Sequence, residues 1–224
     1  MNSLVSTFAK SAEEELRTFV EDPDFPCIGA KAALRRDQLR IYVAGDIRDS
    51  CRDREITKIL QSFAEEHGDA TKMFVSQAVL FPNREQLSEL EFETHLWQRL
   101  SGIHQVDAER YLWDPNVASD PDSPHFSMSV GGCGFFVVGL HPRASRKARR
   151  FRYPTMIFNL HSQFERLRAE SRYEIIREAI IERDIAISGD ANPMLMRHGR
   201  GSAAAQYSGR KVGPNWKCPF HHAQ

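Results

Sequence analysis

Two histidines close apolar runs in the middle of the chain, and the residues between them are those whose types and spacing could do chemistry. Phe135 to Leu140 gives way to His141-Pro142, and Thr155 to Leu160 gives way to His161 at the start of a helical pattern. Strand ends are where rigid scaffold meets open cleft. Between the imidazoles lie Arg143, Arg146, Lys147, Arg149, Arg150 and Arg152, with no acidic residue among them. Such a run repels itself unless water or an anion sits in it. A solvated basic turn is the ordinary fate of an isolated run. Here Ser145 and Phe151 interrupt it and imidazoles bracket it, which favours an anion site for phosphate, carboxylate or the propionates of a haem.

The elements that must hold these groups follow from periodicity. Phe126 to Val130 and Phe135 to Leu140 flank Gly131-Gly132, the spacing of a tight hairpin, and Thr155 to Leu160 reads as a further strand. Leu39, Ile41 and Val43 alternate with Arg40, Tyr42 and Ala44, and Met73 to Phe81 is another extended run. Helical stripes run through Leu4, Phe8, Ala12, Leu16, Phe19 and Val20, then Ile56, Ile59, Leu60 and Phe63 behind an Asp49 or Ser50 cap. A third takes Leu87, Leu90, Leu96, Trp97, Leu100 and Ile103 inward. One long helix is expected from Gln163 to Ile187, with Phe164, Leu167, Tyr173, Ile176, Ile180 and Ile187 towards the core. The IGAKAAL segment after Phe25-Pro26-Cys27 reads as a packed turn with a buried thiol. The acidic stretch from Tyr111 to Pro124 reads as a loop long enough to cover a site. Helices and strands mix without regular alternation, which predicts an α+β fold, an antiparallel or mixed sheet with helices packed on it.

The chain of 224 residues is read as one domain over residues 1–224, with an N-terminal helix over 1–22 and a wrapped tail over 190–224 carried by Tyr207, Trp216 and Phe220. Thirty basic side chains against thirty acidic ones leave no global field to draw the protein to nucleic acid or membrane. A hydrophobic content of 41% and a mean hydropathy of -0.48 are those of an ordinary globular protein. The N-terminus has neither a basic leader region nor a small-residue cleavage site, so a cytoplasmic protein is expected. Cys27, Cys51, Cys133 and Cys218 form no CxxC pair, which argues against a zinc ribbon and predicts reduced thiols.

Eight blocks in order then carry a resemblance. They are FPCIGAKAAL, Phe92-Glu93 with Leu96-Trp97, Trp113 to Pro115, GLHPRASRKARRF, FNLHSQFERLR, Asn192 to Met194, QYSGR and WKCPF, from about Phe25 to Phe220. Together they resemble the signature of the YqcI/YcgG family. The chain departs from that pattern at Leu160, where a proline is expected, and at Ala203 to Ala205, where acidic residues are expected, and both bear on substrate choice. The resemblance implies a haem-dependent N-hydroxylase like those of the cycloserine and guanitoxin pathways, holding haem b and using O2 with an external electron donor. The implied partners are a guanidine or amine substrate, such as L-arginine or a derivative, and a redox protein. The oligomeric state stays open, a homodimer included.

On that reading His161 is the candidate iron ligand and His141 its rival. Arg146, Arg149 and Arg150 are candidate propionate partners, joined by Ser145 and Arg210 from the matching blocks. Cys27 and Cys218 are lesser ligand candidates, each beside a proline. Carboxylates suit a guanidinium bidentately, which nominates Glu93, Asp114 and Glu165 for the substrate. The absence of a Gly-rich dinucleotide fingerprint places the electron source outside the chain. Two rival classes are a haem-binding sensor or carrier without catalysis and a non-haem metal hydrolase on His141, His161 and His198. No HExxH spacing supports the hydrolase.

Overall fold

Gly131 and Gly132 turn the chain at φ of 60° and 71°, a conformation open to glycine without a clash, and they close the expected hairpin. The computed structural model describes residues 2–69, 71–82, 85–195 and 201–222, with side chains from Thr7 onward. The side chain of Leu4 and the whole of His198 lie outside the described residues.

The hairpin strands β3 (Met128–Val130) and β4 (Cys133–Leu140) belong to a mixed sheet. Its other strands are β1 (Leu39–Val43), β2 (Ser76–Leu80) and β5 (Thr155–Leu160), and the order is β1-β2-β5-β4-β3. β1 runs parallel to β2, reached through α3 (Asp53–His67), and the other neighbours are antiparallel. The α+β expectation holds.

Alternation along β4 and β5 divides the interior in two. Phe135, Val137, Met156, Phe158 and Leu160 face one side, where Ile56, Leu60 and Phe63 of α3 meet Phe92, Leu96 and Leu100 of α4 (Glu89–Asp107) in the main core. Ser88 starts α4 with a reciprocal capping box to Glu91. Asp107 closes it, its carboxylate accepting the Gly131 amide at 3.0 Å and the Gln61 side-chain amide at 2.7 Å, so the helix end fixes the hairpin. On the other side, α1 (Asn2–Glu21) and α2 (Ile28–Arg35) pack Ala12, Leu16, Val20 and Ala33 on Leu39, Ala78 and Leu80.

Three sequence expectations change. The IGAKAAL segment is the helix α2, because Cys27 caps it, its Sγ accepting from the Ala30 amide at 3.4 Å. The long helix from Gln163 is two, α5 (His161–Ala169) and α6 (Tyr173–Ser188), parted where Ser171 takes φ 57°. Leu90 is 60% exposed rather than inward. After the short α7 (Ala204–Tyr207), Tyr207 stacks on Trp97 at 5.6 Å and Phe220 is fully buried. Among the described residues no helix is long and apolar enough to cross a membrane.

Candidate functional site

Beyond α1 and α2 the second face of the sheet is roofed at a distance. Helix α6 leans on α2, on α5 and on the short turn Lys147–Arg149, and a cavity of about 340 Å3 lies between it and β4 and β5. That volume is within the range of small-molecule pockets, roughly 300–1,000 Å3. Phe136 and Val138 of β4, Ile157 of β5, Phe164 of α5 and Ile180 of α6 make its walls apolar. Tyr173, Ile176 and Ile180, expected in packed core, face this space instead.

Polar groups also reach the cavity, His161 among them. His161, the first residue of α5, continues the alternation of Ile157 and Asn159 and so reaches the cavity side. Its Nδ1 is 2.9 Å from the Ser127 hydroxyl and its Nε2 is 2.9 Å from Glu165, one helical turn on. Burial pulls the imidazole below its usual range, partly offset by Glu165. Gly134 leaves it room, since a Cβ there would stand 3.2 Å from the His161 Cβ.

Among the described residues four arginines line the same space, Arg146, Arg149, Arg168 and Arg177, against one carboxylate, Asp184. Arg146 pairs with Asp184 and with Asp190. Arg149 donates to the carbonyls of Gly139 at 3.3 Å and Tyr207 at 3.1 Å, and among the described residues no carboxylate forms an ion pair with it. Burial pushes its guanidinium down to about 10. Its stem lies across Gly209, at φ 84°, where a Cβ would come 2.5 Å from the Arg149 Cδ. The tail thus braces a half-buried cation held by carbonyls.

The other nominated residues lie elsewhere. His141 follows β4 in the opposite phase and sits on the α4 face, stacked on Phe92 at 4.4 Å, wholly buried, with no hydrogen-bond partner among the described residues for either ring nitrogen. Glu93 is buried against Arg210, at 2.5 and 2.8 Å, and accepts from Ser208. Both thereby tie the tail to α4 rather than line the cavity. Asp114 accepts the Gly134 amide at 2.7 Å and shapes the loop as a strut. The Ser145 amide donates to Glu89, and Arg150 turns to the carbonyls of Ala144 and Ser145. Glu165 stands beside His161 and pairs with Arg168. Of the expected covering loop, Pro124 lines the cavity. Cys27 also lines it, its thiol pushed up by burial, whereas Cys218 is buried elsewhere and raised to about 12.

Asp184 escaped the sequence reading, yet its signal was present. Tyr173, Ile176, Ile180 and Asp184 share one helical face, so an acid stands inside an apolar stripe. Ser127 and Gly209 gave no comparable sign.

A porphyrin needs an axial donor, apolar faces and cations for its propionates. His161, the apolar walls and the arginines Arg146 and Arg149 supply that set, and Arg149 lacks a carboxylate of its own. The residues present fit the group. Among the described residues no cluster of three His, Cys, Asp or Glu could hold a bare metal ion, and His141 and His161 lie on opposite faces.

Comparison with known proteins agrees with the blocks in the sequence. The sequence pattern of the YqcI/YcgG family matches residues 16–221. The chain is 28% identical over 162 residues to the uncharacterized protein YcgG of Bacillus subtilis (strain 168), covering 70% of this chain and 63% of that protein. It is 29% identical over 148 residues to the uncharacterized protein YqcI of the same organism, covering 64% and 57%. The chain therefore spans somewhat less than two thirds of the length of these curated relatives. No solved structure matches it significantly.

Proposed function

We propose that this chain, which belongs to the YqcI/YcgG family, is a haem-dependent monooxygenase that hydroxylates a nitrogen of a guanidine or amine substrate, L-arginine or a derivative being the leading candidate. The observation that carries the reading is one cavity with a largely apolar lining that also holds an imidazole and a half-buried arginine, Arg149, with no carboxylate in an ion pair with it among the described residues. Bound haem would supply activation of O2: one oxygen atom enters an N–H bond, and the other leaves as water with two electrons and two protons from outside the chain. His161 would hold the iron through Nε2, with Nδ1 kept on Ser127. For this Glu165, an exposed carboxylate, releases Nε2 and keeps Arg168. Arg149 and Arg146 would take the propionates by charge-assisted hydrogen bonds.

The remaining polar groups are those that can orient substrate. Asp184, on the cavity face of α6 and released from Arg146 once that arginine takes a propionate, and Glu165, beside His161, are the carboxylates we assign to a guanidinium, in place of Glu93 and Asp114. Phe136, Phe164 and Ile180 exclude water from the reacting nitrogen. The rival reading, a haem-binding sensor or carrier, would need a second protein ligand, and among the described residues His125, Cys27 and Tyr173 of the cavity lining would be candidates. Incubating the haem-loaded protein with an electron donor, O2 and arginine separates the two. The reading expects a product heavier by one oxygen atom, labelled from 18O2. A haem ligated on both faces, with no product from any guanidine or amine, would favour the carrier.

A further inference from the structure

Helix α2 has two working faces. Cys27, Gly29 and Ala30 look into the cavity, while Ile28, Lys31, Ala32 and Arg35 look outward into a groove completed by Pro23, Arg36 and Arg183. Lys31 and Arg35 are one turn apart on this outer face, Arg36 lies over the Phe74 ring at 5.5 Å, and Arg183 reaches across from α6. Among the described residues four cations line the groove and no acidic side chain does.

The hydrogen bonds of Lys31 and Arg183 among the described residues go to carbonyls rather than carboxylates. Lys31 donates to the carbonyls of Asp22 at 2.6 Å and Pro23 at 3.0 Å, and Arg183 to those of Pro23 at 2.6 Å and Phe25 at 3.2 Å. The Arg183 Nε is buried without a hydrogen bond. Among the described residues none of the four is in an ion pair, although exposed arginines elsewhere on the chain, such as Arg40, Arg48 and Arg52, each have an acidic neighbour. Asp22 and Asp24 approach Lys31 at the rim, yet Arg183 and Arg35 crowd it from the other side. In a chain whose charges cancel overall, this groove is a local cationic excess left open to solvent.

We infer that the outer face of α2, with Lys31, Arg35, Arg36 and Arg183, is the docking surface for a small acidic electron-carrier protein. The inference rests on the monooxygenase reading, which needs electrons from outside the chain. Position favours a carrier over other anions: α2 and α6 each line both the groove and the cavity, and a helix with its side chains is about 10–12 Å across. An acidic carrier seated there would be brought by long-range attraction into a small, transient, salt-sensitive contact, the habit of electron-transfer pairs.

The test reads binding to the haem-free chain, so it stands or falls apart from any catalysis. An acidic plant-type ferredoxin is immobilised and the chain is titrated over it at about 0.01 M and about 0.1 M salt, which shortens the screening length from roughly 30 to roughly 10 Å. The wild-type chain should bind at low salt and weaken steeply as salt rises. The double variant Arg35→Glu, Arg36→Glu, both positions exposed, should bind at least about tenfold more weakly. A control, Lys58→Glu on α3 across the sheet, should leave affinity unchanged. Circular dichroism confirms that the variants fold. Equal binding by wild type and double variant, equal loss in the control, or binding to anionic phospholipid vesicles as tight as to ferredoxin would each overturn the inference, the last in favour of a membrane surface. The monooxygenase reading would survive that failure, since it is decided by the haem spectrum and the product.

Discussion

His141 should make this protein lose stability on mild acidification. The ring is fully buried, lies flat on Phe92 and has no hydrogen-bond partner among the described residues for either nitrogen, which favours its neutral form. Burial, with a smaller push from Arg149 and a counter-pull from Glu89, brings it down from 6.5 to about 4. Above pH 6.5 neither the folded nor the unfolded chain holds this proton and the group contributes nothing to the pH dependence. As pH falls from about 6.5 towards about 4, the unfolded chain takes the proton and the folded chain refuses it, so folding weakens by about 1.4 kcal/mol per pH unit, roughly 3 kcal/mol across the window. Urea unfolding at several pH values, for wild type and His141→Phe, isolates the effect from His67 and His161, which are also depressed. The variant keeps a ring on Phe92 and loses the titration. Its stability relative to wild type should therefore climb through the window as pH drops. A difference that stays flat within about 1 kcal/mol between pH 7 and 4.5 would show that the folded chain protonates His141 readily, and that its burial is not as described.

Two further outcomes follow from the tail. Arg210→Ala leaves the Glu93 carboxylate buried with Ser208 alone, which should cost about 3 kcal/mol and open the C-terminal segment to limited proteolysis; unchanged unfolding and cleavage would remove the tie from the account. Gly209→Ala puts a methyl group 2.5 Å from the Arg149 Cδ at a left-handed backbone position, so it should cost about 1–3 kcal/mol and lower haem affinity together, and a stable variant with full affinity would contradict the bracing of Arg149.

The sheet was legible because its signals are local. Gly131-Gly132 between apolar runs, the alternation of Leu39 to Val43 and the apolar run ending at Leu160 each specify a strand without knowledge of its neighbours. The break after α5 was not, because nothing in Glu170-Ser171-Arg172 forbids a helix and it is packing that folds the chain there. Helix α2 hid behind Cys27, an uncommon cap. At the site, the basic run and His161 stood out as charge and as a strand end, and Arg146 and Arg149 do meet His161 in one cavity. The parting of the two histidines depends on strand phase: Phe136, Val138 and Leu140 face the cavity while Phe135, Val137 and then His141 face α4. That phase can be counted only once the strands and their covered faces are known. Glu93 and Arg210 were visible as charges, but their attachment to each other spans the whole tail and is a tertiary fact.

The most direct measurement is a haem titration followed at the Soret band, for wild type, His161→Ala and His141→Ala. Wild type should form a saturable adduct whose band shifts when arginine is added. His161→Ala should lose the adduct or give an altered band that free imidazole restores, while His141→Ala keeps the wild-type spectrum. A normal band in His161→Ala, or its loss in His141→Ala alone, would contradict the account.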